Sequence, residues 1–383
     1  MKIYGYGKQN ITEDDIQAVV ETLKSPYLTC GPKVKEFEQA ICDYTGAKYC
    51  VAVNSATSGL HIAMMAAGVG VNYPSPLVGE GLGEGLKKDE VITSPMTFLA
   101  SANCARFCGA DIKFADIEKD TANIDPEEIK KHISQKTKAV VPVHFAGQSC
   151  DMEGVNKALP TDRKIYIIED AAHAIGSDYK DTKVGSCKYS DMTVFSFHPV
   201  KTITTCEGGA VTTNDEELYK KLCAFRAHGM HKDGDMVNDW RYEMRELGYN
   251  YRMTDVQAAL GISQLKRLDE FKKRRREIVD YYNKNLGVPH LIERDFSNAC
   301  FHLYPILVEN REKFYFDARE VGLNLQVHYI PVHTQPYYQG LGYKWGDYPV
   351  AENYYNHCIS LPLYPDLTDE DLEEIVNRIK GIL

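Results

Sequence analysis

Residues 165–173 have the sequence IYIIEDAAH, a short apolar run that leads directly to two acids. A short β-branched run of this kind is typical of a buried strand, and we predict a strand over Ile165–Glu169. Similar runs that predict strands lie before and after it, at Tyr49–Val53, Glu90–Thr93, Ile112–Ala115, Ala139–His144 and Met192–Phe197.

Helical patterns separate several of these strands. Examples are Thr57–Gly68, Phe98–Phe107 and Asp125–Ile133, the last beginning with an Asp-Pro pair that suits a helix start. Repeated alternation of strand and helix predicts an α/β fold with a mostly parallel central sheet covered by helices on both faces. Ligands of such sheets bind beyond the carboxyl ends of the strands.

Composition excludes several classes of protein. The chain has 383 residues, of which 44% are hydrophobic, so it is neither a disordered chain nor a small disulfide scaffold. Its 44 Lys+Arg and 54 Asp+Glu give a net charge of −10, and we expect no nucleic-acid partner, which would need a concentrated cationic surface. The basic run Lys272–Arg276 has acidic neighbours and is interpreted as a solvated helix face.

The cysteines bear on the compartment. There are 11 of them, spread from Cys30 to Cys358 without a C-x-x-C pair, and the start of the chain lacks the pattern of a signal peptide. We therefore expect reduced thiols and a cytoplasmic location. Polar residues interrupt the most apolar stretch, residues 51–71, so no membrane-spanning segment is expected.

The sequence pattern changes near residue 255. We predict a large domain over residues 1–255 and a smaller α+β domain over residues 256–383, joined by a long helix from Asp255 to about Asn285. A glycine-rich, low-complexity segment at about 72–88 is longer than an ordinary connection and is interpreted as an insertion in a surface loop. Two strands are predicted in the smaller domain, at His302–Val308 and Leu325–Tyr329.

Three motifs carry candidate chemistry. Asp170 ends a predicted strand, where its carboxylate can face a ligand, cap a helix or bind a metal. Lys201 follows another strand end; burial there would favour its neutral, nucleophilic amine, whereas a surface lysine is the alternative. Asn54–Gly59 begins a helix with small hydroxylated residues, which suits either a phosphate or ordinary helix capping.

The three motifs together are more specific than any one of them. An acid, a lysine and an anion-binding helix start are the parts needed to hold pyridoxal 5′-phosphate. Lys201 would form the Schiff base, Asp170 would pair with the pyridinium nitrogen, and the helix start would bind the phosphate. A protonated ring nitrogen makes the ring an electron sink, so the combination predicts transamination.

These motifs and their order resemble the DegT/StrS-type sugar aminotransferases, which are fold-type-I pyridoxal phosphate enzymes acting on nucleotide-linked keto-sugars. The resemblance covers nearly the whole chain and implies their fold, with a large cofactor-binding domain and a smaller C-terminal domain. Its further motifs are Leu28–Pro32, Phe37-Glu38, Glu207–Ala210, Arg226–Gly229, Gly248–Met253 and Val327–Pro331.

The resemblance implies roles for single residues. Lys201 matches the Schiff-base lysine and Asp170 the acid on the ring nitrogen, while Phe98 matches the aromatic residue stacked on the ring. His173 stands where many members carry glutamine near the ring, although some branches have histidine. The cofactor-binding residues implied in this way are Thr57, Ser58, Phe98, Asp170, His173, Ser196, Lys201 and Asn250.

The resemblance also implies partners. Asn250 matches a residue that reaches the cofactor phosphate from the neighbouring subunit, so a homodimer with shared active sites is expected; a turn asparagine is the alternative. His328 and Tyr329 match contacts to the sugar nucleotide, with strand packing as the alternative role for each.

A narrower resemblance concerns the substrate. Residues 171–177, 196–209 and 302–306 are similar to the aminotransferases of pseudaminic acid biosynthesis. This likeness implies that L-glutamate donates its amino group to the 4-keto carbon of a UDP-linked 2-acetamido-2,6-dideoxyhexose, giving UDP-4-amino-4,6-dideoxy-N-acetyl-β-L-altrosamine. The alternatives are another 3- or 4-keto nucleotide sugar, a sugar dehydratase of the same fold, which Lys201 disfavours, or a non-catalytic sensor. No metal site is expected, because the histidines and cysteines lack a matching pair of metal-ligand spacings.

Overall fold

The computed structural model describes residues 2–70, 88–232 and 240–383. The predicted insertion at 72–88 lies, apart from Lys88, outside the described residues. The helices in the described residues are α1 (Glu13–Leu23), α2 (Pro32–Thr45), α3 (Ala56–Ala66), α4 (Ala100–Phe107), α5 (Pro126–His132), α6 (Met152–Ala158), α7 (Glu216–Arg226), α8 (Asp255–Leu265), α9 (Leu268–Leu286), α10 (Arg311–Glu320), α11 (Pro336–Gln339), α12 (Pro349–His357) and α13 (Asp369–Lys380).

Seven of the predicted strands are present with at most small shifts of their ends, among the 16 strands of the described residues. They are β1 (Tyr4–Gly5), β2 (Tyr49–Val53), β3 (Glu90–Thr93), β4 (Asp111–Phe114), β5 (Thr137–Val141), β6 (Tyr166–Asp170), β7 (Asp178–Tyr179), β8 (Thr182–Lys183), β9 (Met192–Ser196), β10 (Gly209–Thr213), β11 (Met230–His231), β12 (Glu243–Met244), β13 (Ser297–Asn298), β14 (Tyr304–Leu307), β15 (Leu323–Asn324) and β16 (Cys358–Leu361).

The central sheet has seven strands in the order β2-β10-β9-β6-β5-β3-β4. Strand β10 pairs antiparallel with both β2 and β9, and the remaining neighbours are parallel. Six strands therefore run in one direction, and their carboxyl ends lie at one edge of the sheet. The predicted mostly parallel sheet is confirmed. Strand β10 is a finding of the structure, since its sequence GAVTT begins at a glycine and lacks the long apolar run that marks the other strands.

Helices cover both faces of this sheet, as the pattern predicted. Along β2, Val51 and Val53 pack into a core with α3, α4 and α7. The intervening Cys50 and Ala52 pack on the opposite face with α2 and α8. Because successive side chains of a strand point to opposite faces, a strand that is apolar throughout must be covered on both.

A separate core forms the smaller C-terminal unit. It contains the antiparallel pair β14 and β16 together with helices α9, α10 and α13. The N-terminal strand β1 also belongs to it, because Tyr4 pairs with Leu323 of β15 and is fully buried in the same core. Strand β1 therefore lies in the same unit as α13, and the strands of the large sheet lie between them in the sequence.

The predicted long helix from Asp255 is two helices, α8 and α9, which meet at Lys266 and Arg267. Near its start α9 packs on the large core through Phe271, and further along it packs on the smaller core through Tyr282. A helix therefore does join the two units, while the division at residue 255 stays a prediction.

The predicted strand at Leu325–Tyr329 is wrong. Residues 325–329 contribute one isolated bridge, between Gln326 and Ser360, and then carry His328 and Tyr329 to the cavity described below. Of the three alternating apolar residues, Leu325 packs in the core of the smaller unit, and Val327 and Tyr329 line this cavity, so the pattern had a cause other than strand pairing.

The basic run is also used differently from the prediction of a solvated face. Arg275 is fully buried and donates to the backbone carbonyls of Leu363 and Phe301. Lys272 and Arg276 form ion pairs with Asp178 and Glu293. Most of this charge holds α9 against neighbouring segments.

Candidate functional site

A cavity of about 670 Å³ opens at the carboxyl edge of the central sheet. Strands β6 and β9 end at it, α3 begins at it, and residues of the smaller unit close its other side. Its lining includes eight of the ten predicted site residues, namely Thr57, Phe98, Asp170, His173, Ser196, Lys201, His328 and Tyr329.

Lys201 lies in the turn that follows β9. Its backbone N–H donates to the carbonyl of His198 at 2.9 Å, which shapes the turn and directs the side chain into the cavity. Burial lowers the pKa of the Lys201 amine to about 8, against the opposing influence of the Asp170 charge. A substantial fraction of this amine is therefore neutral near physiological pH, as a nucleophile or a general base requires.

Asp170 is the last residue of β6 and is almost completely buried. Its backbone N–H donates to Pro142 at 2.9 Å, and its carbonyl accepts from the N–H of His144 at 3.1 Å. Its side chain accepts from the Ser101 hydroxyl at 2.6 Å and from the Ala172 N–H at 3.1 Å. The neighbouring strand and two donors thus hold this carboxylate at the wall of the cavity.

The start of α3 is built to receive an anion. Ser55 caps the helix and accepts from the N–H of Ser58 at 3.1 Å. The N–H groups of Ala56 and Thr57 precede any acceptor within the helix, and both residues line the cavity. A phosphate placed there would accept from these groups and meet the positive end of the helix dipole.

Gly209 brings this helix start close to the sheet. A Cβ at this position would lie 2.6 Å from the nitrogen of Ala56 and 2.8 Å from the carbonyl oxygen of Phe195. Any larger residue would push α3 away from β9 and β10. Gly209, in the motif Glu207–Ala210, therefore positions the proposed phosphate site.

His173 faces the cavity with one ring nitrogen bonded and one unpartnered. Its Nε2 lies 2.9 Å from the hydroxyl of Tyr329, while its Nδ1 is buried without a hydrogen-bond partner. Burial, with the nearby Lys201 charge, lowers the pKa of His173 well below its ordinary value, so the ring is neutral. The ring of His302 lies 4.6 Å away, measured between centroids.

His328 and Tyr329 line the side of the cavity that the smaller unit provides. The Nδ1 of His328 lies 2.8 Å from the Ser360 hydroxyl, and burial lowers the pKa of His328 to about 3. Burial raises the pKa of Tyr329, so its hydroxyl keeps its proton. Both side chains therefore face the cavity as neutral polar groups, and the alternative of strand packing does not apply.

Phe98 and Ser196 complete the described part of the predicted site. The ring of Phe98 is 58% exposed, which leaves its face available to a flat ligand. Ser196 ends β9, and its hydroxyl lies 3.5 Å from the backbone nitrogen of His198. The hydroxyl is therefore directed toward the turn that carries Lys201.

The structure does not bring Ser58 and Asn250 to the cavity lining. The Ser58 hydroxyl donates to the Asn54 side chain at 2.7 Å and also lies 3.0 Å from Ser55 Oγ, so its polar group serves the turn. Asn250 is exposed and bridges to Ala227 at a different surface. Its predicted contact with a neighbouring subunit stays a prediction.

Three residues of the site were absent from the predicted set. Ser101 bonds to Asp170, His302 packs on His173, and Tyr6 enters the lining from the N-terminal segment. His302 lies in the segment 302–306 that carried the substrate likeness, and Ser101 lies in the predicted helix Phe98–Phe107, but nothing local in the sequence marks their contacts. Tyr6 reaches the site only because β1 joins the distant strand β15.

These groups fit pyridoxal phosphate. The cavity offers an amine for the aldehyde, a carboxylate for the ring nitrogen, N–H groups for the phosphate and an exposed aromatic face for the ring. The unpartnered Nδ1 of His173 adds a buried polar atom that a polar group of the ligand could satisfy. No feature of the described lining conflicts with this cofactor.

The described part of the chain offers neither a metal-binding cluster nor a membrane-spanning helix. Residues 2–70, 88–232 and 240–383 contain no cluster of at least three histidine, cysteine or acidic side chains that could hold a metal ion. Within the same residues, none of the helices is both long enough and apolar enough to cross a bilayer.

The sequence matches known proteins over almost its full length. The model of the DegT/DnrJ/EryC1/StrS aminotransferase family matches residues 9–380. The spore coat polysaccharide biosynthesis protein SpsC of Bacillus subtilis is 41% identical, over 99% of this chain and 96% of its own. The UDP-4-amino-4,6-dideoxy-N-acetyl-β-L-altrosamine transaminase of Campylobacter jejuni is 38% identical, over 99% of this chain and 97% of its own.

Solved structures agree with these matches. Helicobacter pylori PseC, an aminotransferase involved in the biosynthesis of pseudaminic acid, superposes with a TM-score of 0.85 at 33% identity, covering 100% of this chain and 99% of its own. The PLP form of Spr1654 from Streptococcus pneumoniae gives 0.88 at 32% identity, covering 98% and 97%. The expected fold-type-I architecture is confirmed.

Proposed function

The chain belongs to the DegT/DnrJ/EryC1/StrS family of pyridoxal-phosphate-dependent sugar aminotransferases, and we propose that its substrate is a UDP-linked 2-acetamido-2,6-dideoxy-4-keto-hexose. In this proposal L-glutamate donates the amino group, and the product is UDP-4-amino-4,6-dideoxy-N-acetyl-β-L-altrosamine. The observation that carries the proposal is the full-length likeness to the Campylobacter jejuni transaminase of that name, at 38% identity. The likeness to PseC supports the same substrate class.

When bound, pyridoxal phosphate supplies an aldehyde for amines and a ring that withdraws electrons. Asp170 would pair with the ring nitrogen, and the first turn of α3 would hold the phosphate through the N–H groups of Ala56 and Thr57. Phe98 supports one face of the ring. Together these residues would hold the cofactor ring in one orientation. Fixing the orientation of reacting groups is a major contribution that a protein makes to such chemistry.

Lys201 is the residue that moves protons. Its Nζ would hold the cofactor between turnovers and, when not so engaged, would serve as the general base. It removes the α-proton of glutamate in one half-reaction and returns a proton to the sugar carbon in the other. The lowered pKa of Lys201, about 8, suits a group that must gain and lose a proton near neutral pH.

The sugar nucleotide would enter from the side formed by the smaller unit. His328 and Tyr329 offer neutral hydrogen-bonding groups there, and Tyr6 and Gln326 line the same side. Neutral donors and acceptors suit sugar hydroxyls and an acetamido group. Lys201 is the one lysine in the described lining, which contains no arginine, so other contacts would neutralise the diphosphate.

We further propose a homodimer in which Asn250 of one subunit reaches the cofactor phosphate of the other. Its exposure, away from the cavity of its own chain, supports a role across an interface. For the compartment we propose the cytoplasm, which is supported by the eleven cysteines, all of them free thiols.

The substrate proposal is tested with a panel of keto-sugars. Purified enzyme, pyridoxal phosphate and L-glutamate are mixed with UDP- and dTDP-linked 3-keto and 4-keto sugars, and the products are identified by mass and NMR. We expect the 4-amino sugar from the UDP-linked 2-acetamido-2,6-dideoxy-4-keto-hexose, at the highest kcat/KM in the panel. Preference for another member would replace the proposed substrate, and a deoxygenated product would indicate a dehydratase.

Shared active sites are tested by complementation. The variants Lys201→Ala and Asn250→Ala are each expected to be inactive alone. When co-expressed, they form hybrid dimers in which one site has both Lys201 and the Asn250 of the other subunit. Activity should return in the hybrids; if it does not, Asn250 serves its own chain, whereas full activity of Asn250→Ala alone would show that Asn250 serves neither site.

A further inference from the structure

Ser101 lies in the first turn of α4 and is fully buried behind the active-site acid. Its Oγ donates to Oδ2 of Asp170 at 2.6 Å. The other oxygen, Oδ1, accepts from the backbone N–H of Ala172 at 3.1 Å. Each carboxylate oxygen of Asp170 therefore has one donor from the protein, which sets the orientation of its carboxylate plane.

A second hydroxyl supports the first. The Oγ1 of Thr97 lies 2.7 Å from the Oγ of Ser101, and Thr97 is also buried. A serine hydroxyl has a single proton, and in Ser101 that proton goes to Asp170. Thr97 must therefore donate to Ser101, which gives an ordered chain of donors from Thr97 through Ser101 to Asp170.

The same helix also contacts the proposed phosphate site. Cys104 lies three positions after Ser101, on the same face of α4. Its Sγ donates to the carbonyl of Thr57 in the first turn of α3 at 3.3 Å. One face of α4 thus holds both the acid for the ring nitrogen and the helix start for the phosphate.

We propose that Ser101 is a positioning residue for the cofactor: its hydrogen bond, supported by Thr97, would hold the Asp170 carboxylate oriented toward the ring nitrogen. A hydrogen bond to the charged form of a carboxylate favours that form. The proton shared by Asp170 and the ring nitrogen therefore stays on the nitrogen, and the ring keeps its electron-withdrawing character. This inference rests on the expected pairing of Asp170 with that nitrogen and is independent of which sugar is aminated.

The test measures the protonation of the ring nitrogen directly. Wild type, Ser101→Ala, Ser101→Thr and Thr97→Val are reconstituted with pyridoxal phosphate labelled with ¹⁵N in the ring, and the ¹⁵N chemical shift is measured. In Ser101→Ala the shift should move toward that of an unprotonated pyridine, with kcat/KM lower by roughly 10-fold or more. Ser101→Thr keeps the Oγ and should restore both values. Thr97→Val should move the shift in the same direction by less, and it tests the donor chain if Ser101→Ala does not fold.

Two reference variants make the outcome decisive. Ser149 is also a fully buried serine, but its Oγ has no hydrogen-bond partner, so Ser149→Ala should change neither the ¹⁵N shift nor kcat/KM. Asp170→Asn gives the shift expected when the anion is lost. If Ser101→Ala lowers the unfolding temperature but leaves the ¹⁵N shift at the wild-type value, Ser101 is only structural and the proposal is overturned. If Asp170→Asn leaves the shift unchanged, the premise fails, whatever sugar the panel identifies.

Discussion

Two adjacent acids of β6, Glu169 and Asp170, occupy opposite sides of the sheet and have opposite surroundings. Glu169 is enclosed by protein donors: its carboxylate accepts from His144 at 2.6 Å, from Thr193 at 2.8 Å and from Ser190. Asp170 has two donors and also lines an open cavity with Lys201. Both are buried carboxylates, but only Asp170 has a side available to a ligand.

The surroundings of Glu169 also determine its charge. The Nδ1 of His144 accepts from the N–H of Cys150 at 3.0 Å, and its Nε2 donates to Glu169. Burial opposes ionisation, but the hydrogen bonds from His144, Ser190 and Thr193 outweigh it and lower the pKa of Glu169. The comparison indicates that Glu169 stabilises the fold, and it supports the proposed role of Asp170 at the cofactor.

Removing the amine on the Asp170 side should have the largest effect. Lys201→Ala should abolish both transaminations and the visible absorbance of the lysine-bound cofactor, because no other described lysine lines the cavity. Absorbance spectra of the purified protein measure this. A fully retained band would show that another amine binds the cofactor.

Asp170→Asn should come next. The cofactor should remain bound through the α3 phosphate site, but kcat should fall roughly 100-fold or more because the ring nitrogen loses its anionic partner. Single-turnover kinetics with glutamate and with the keto-sugar should show both half-reactions slowed. Near-normal rates would contradict the role of Asp170 in electron withdrawal.

The Lys201 amine predicts a pH dependence for cofactor capture by the apoenzyme. Since its pKa is about 8, the neutral fraction that attacks the aldehyde should level off above pH 8 and fall about 10-fold for each pH unit below it. The neutral fraction of an ordinary lysine amine, in contrast, keeps rising to about pH 10. Stopped-flow absorbance measures the rate, and acetyl-lysine amide in solution is the reference for the aldehyde itself. A dependence that matches the reference, with its ordinary lysine pKa, would contradict the lowered value.

Glu169→Gln should affect stability instead of chemistry. The substitution replaces the charged acceptor of three hydrogen bonds and should lower the free energy of unfolding by about 1.5–3 kcal/mol. Denaturant unfolding of the apoenzyme measures it, and the half-reaction rates of the folded variant should stay near wild type. Slowed half-reactions with unchanged stability would reverse the assignment of the two acids.

Lowering the pH should reduce the difference in stability between wild type and Glu169→Gln. Because the pKa of Glu169 is lowered in the folded protein, its charge stabilises the fold above the ordinary glutamate range, and this contribution is lost as the pH falls through the lowered pKa. The gap in unfolding temperature between wild type and Glu169→Gln should therefore narrow at acidic pH. A gap that widens would indicate that Glu169 is protonated in the folded state.

The smallest effect is expected from deleting residues 74–86, the core of the predicted insertion. If the segment is a surface insertion, neither acid of β6 should be affected, and kcat/KM and the oligomeric mass should match wild type. Activity assays and light scattering measure the two. Loss of activity would show that the segment forms part of the site.

The sequence predicted much of this site because the contributing segments are local. The end of a strand and the start of a helix can each be identified within a few residues. The sequence therefore predicted Asp170, Lys201 and the start of α3. The same patterns failed at Leu325–Tyr329, where apolar residues pack in a core or line a cavity and do not pair in a sheet. They also missed β10, because its short sequence lacks a strand pattern. Only its position between β2 and β9 in the sheet identifies it as a strand.

Local periodicity and the order of the motifs were sufficient to predict the fold class, the family and the candidate reacting residues. Both the repeat of apolar residues and the chemistry of side chains are properties of short segments. The contacts of Ser101 with Asp170 and of His302 with His173 depended on how α4 and the smaller unit pack against β6. The difference between Glu169 and Asp170 arose in the same way. Both are acids in the same strand, and only the packing on each face of the sheet made one a closed structural group and left the other open to a ligand.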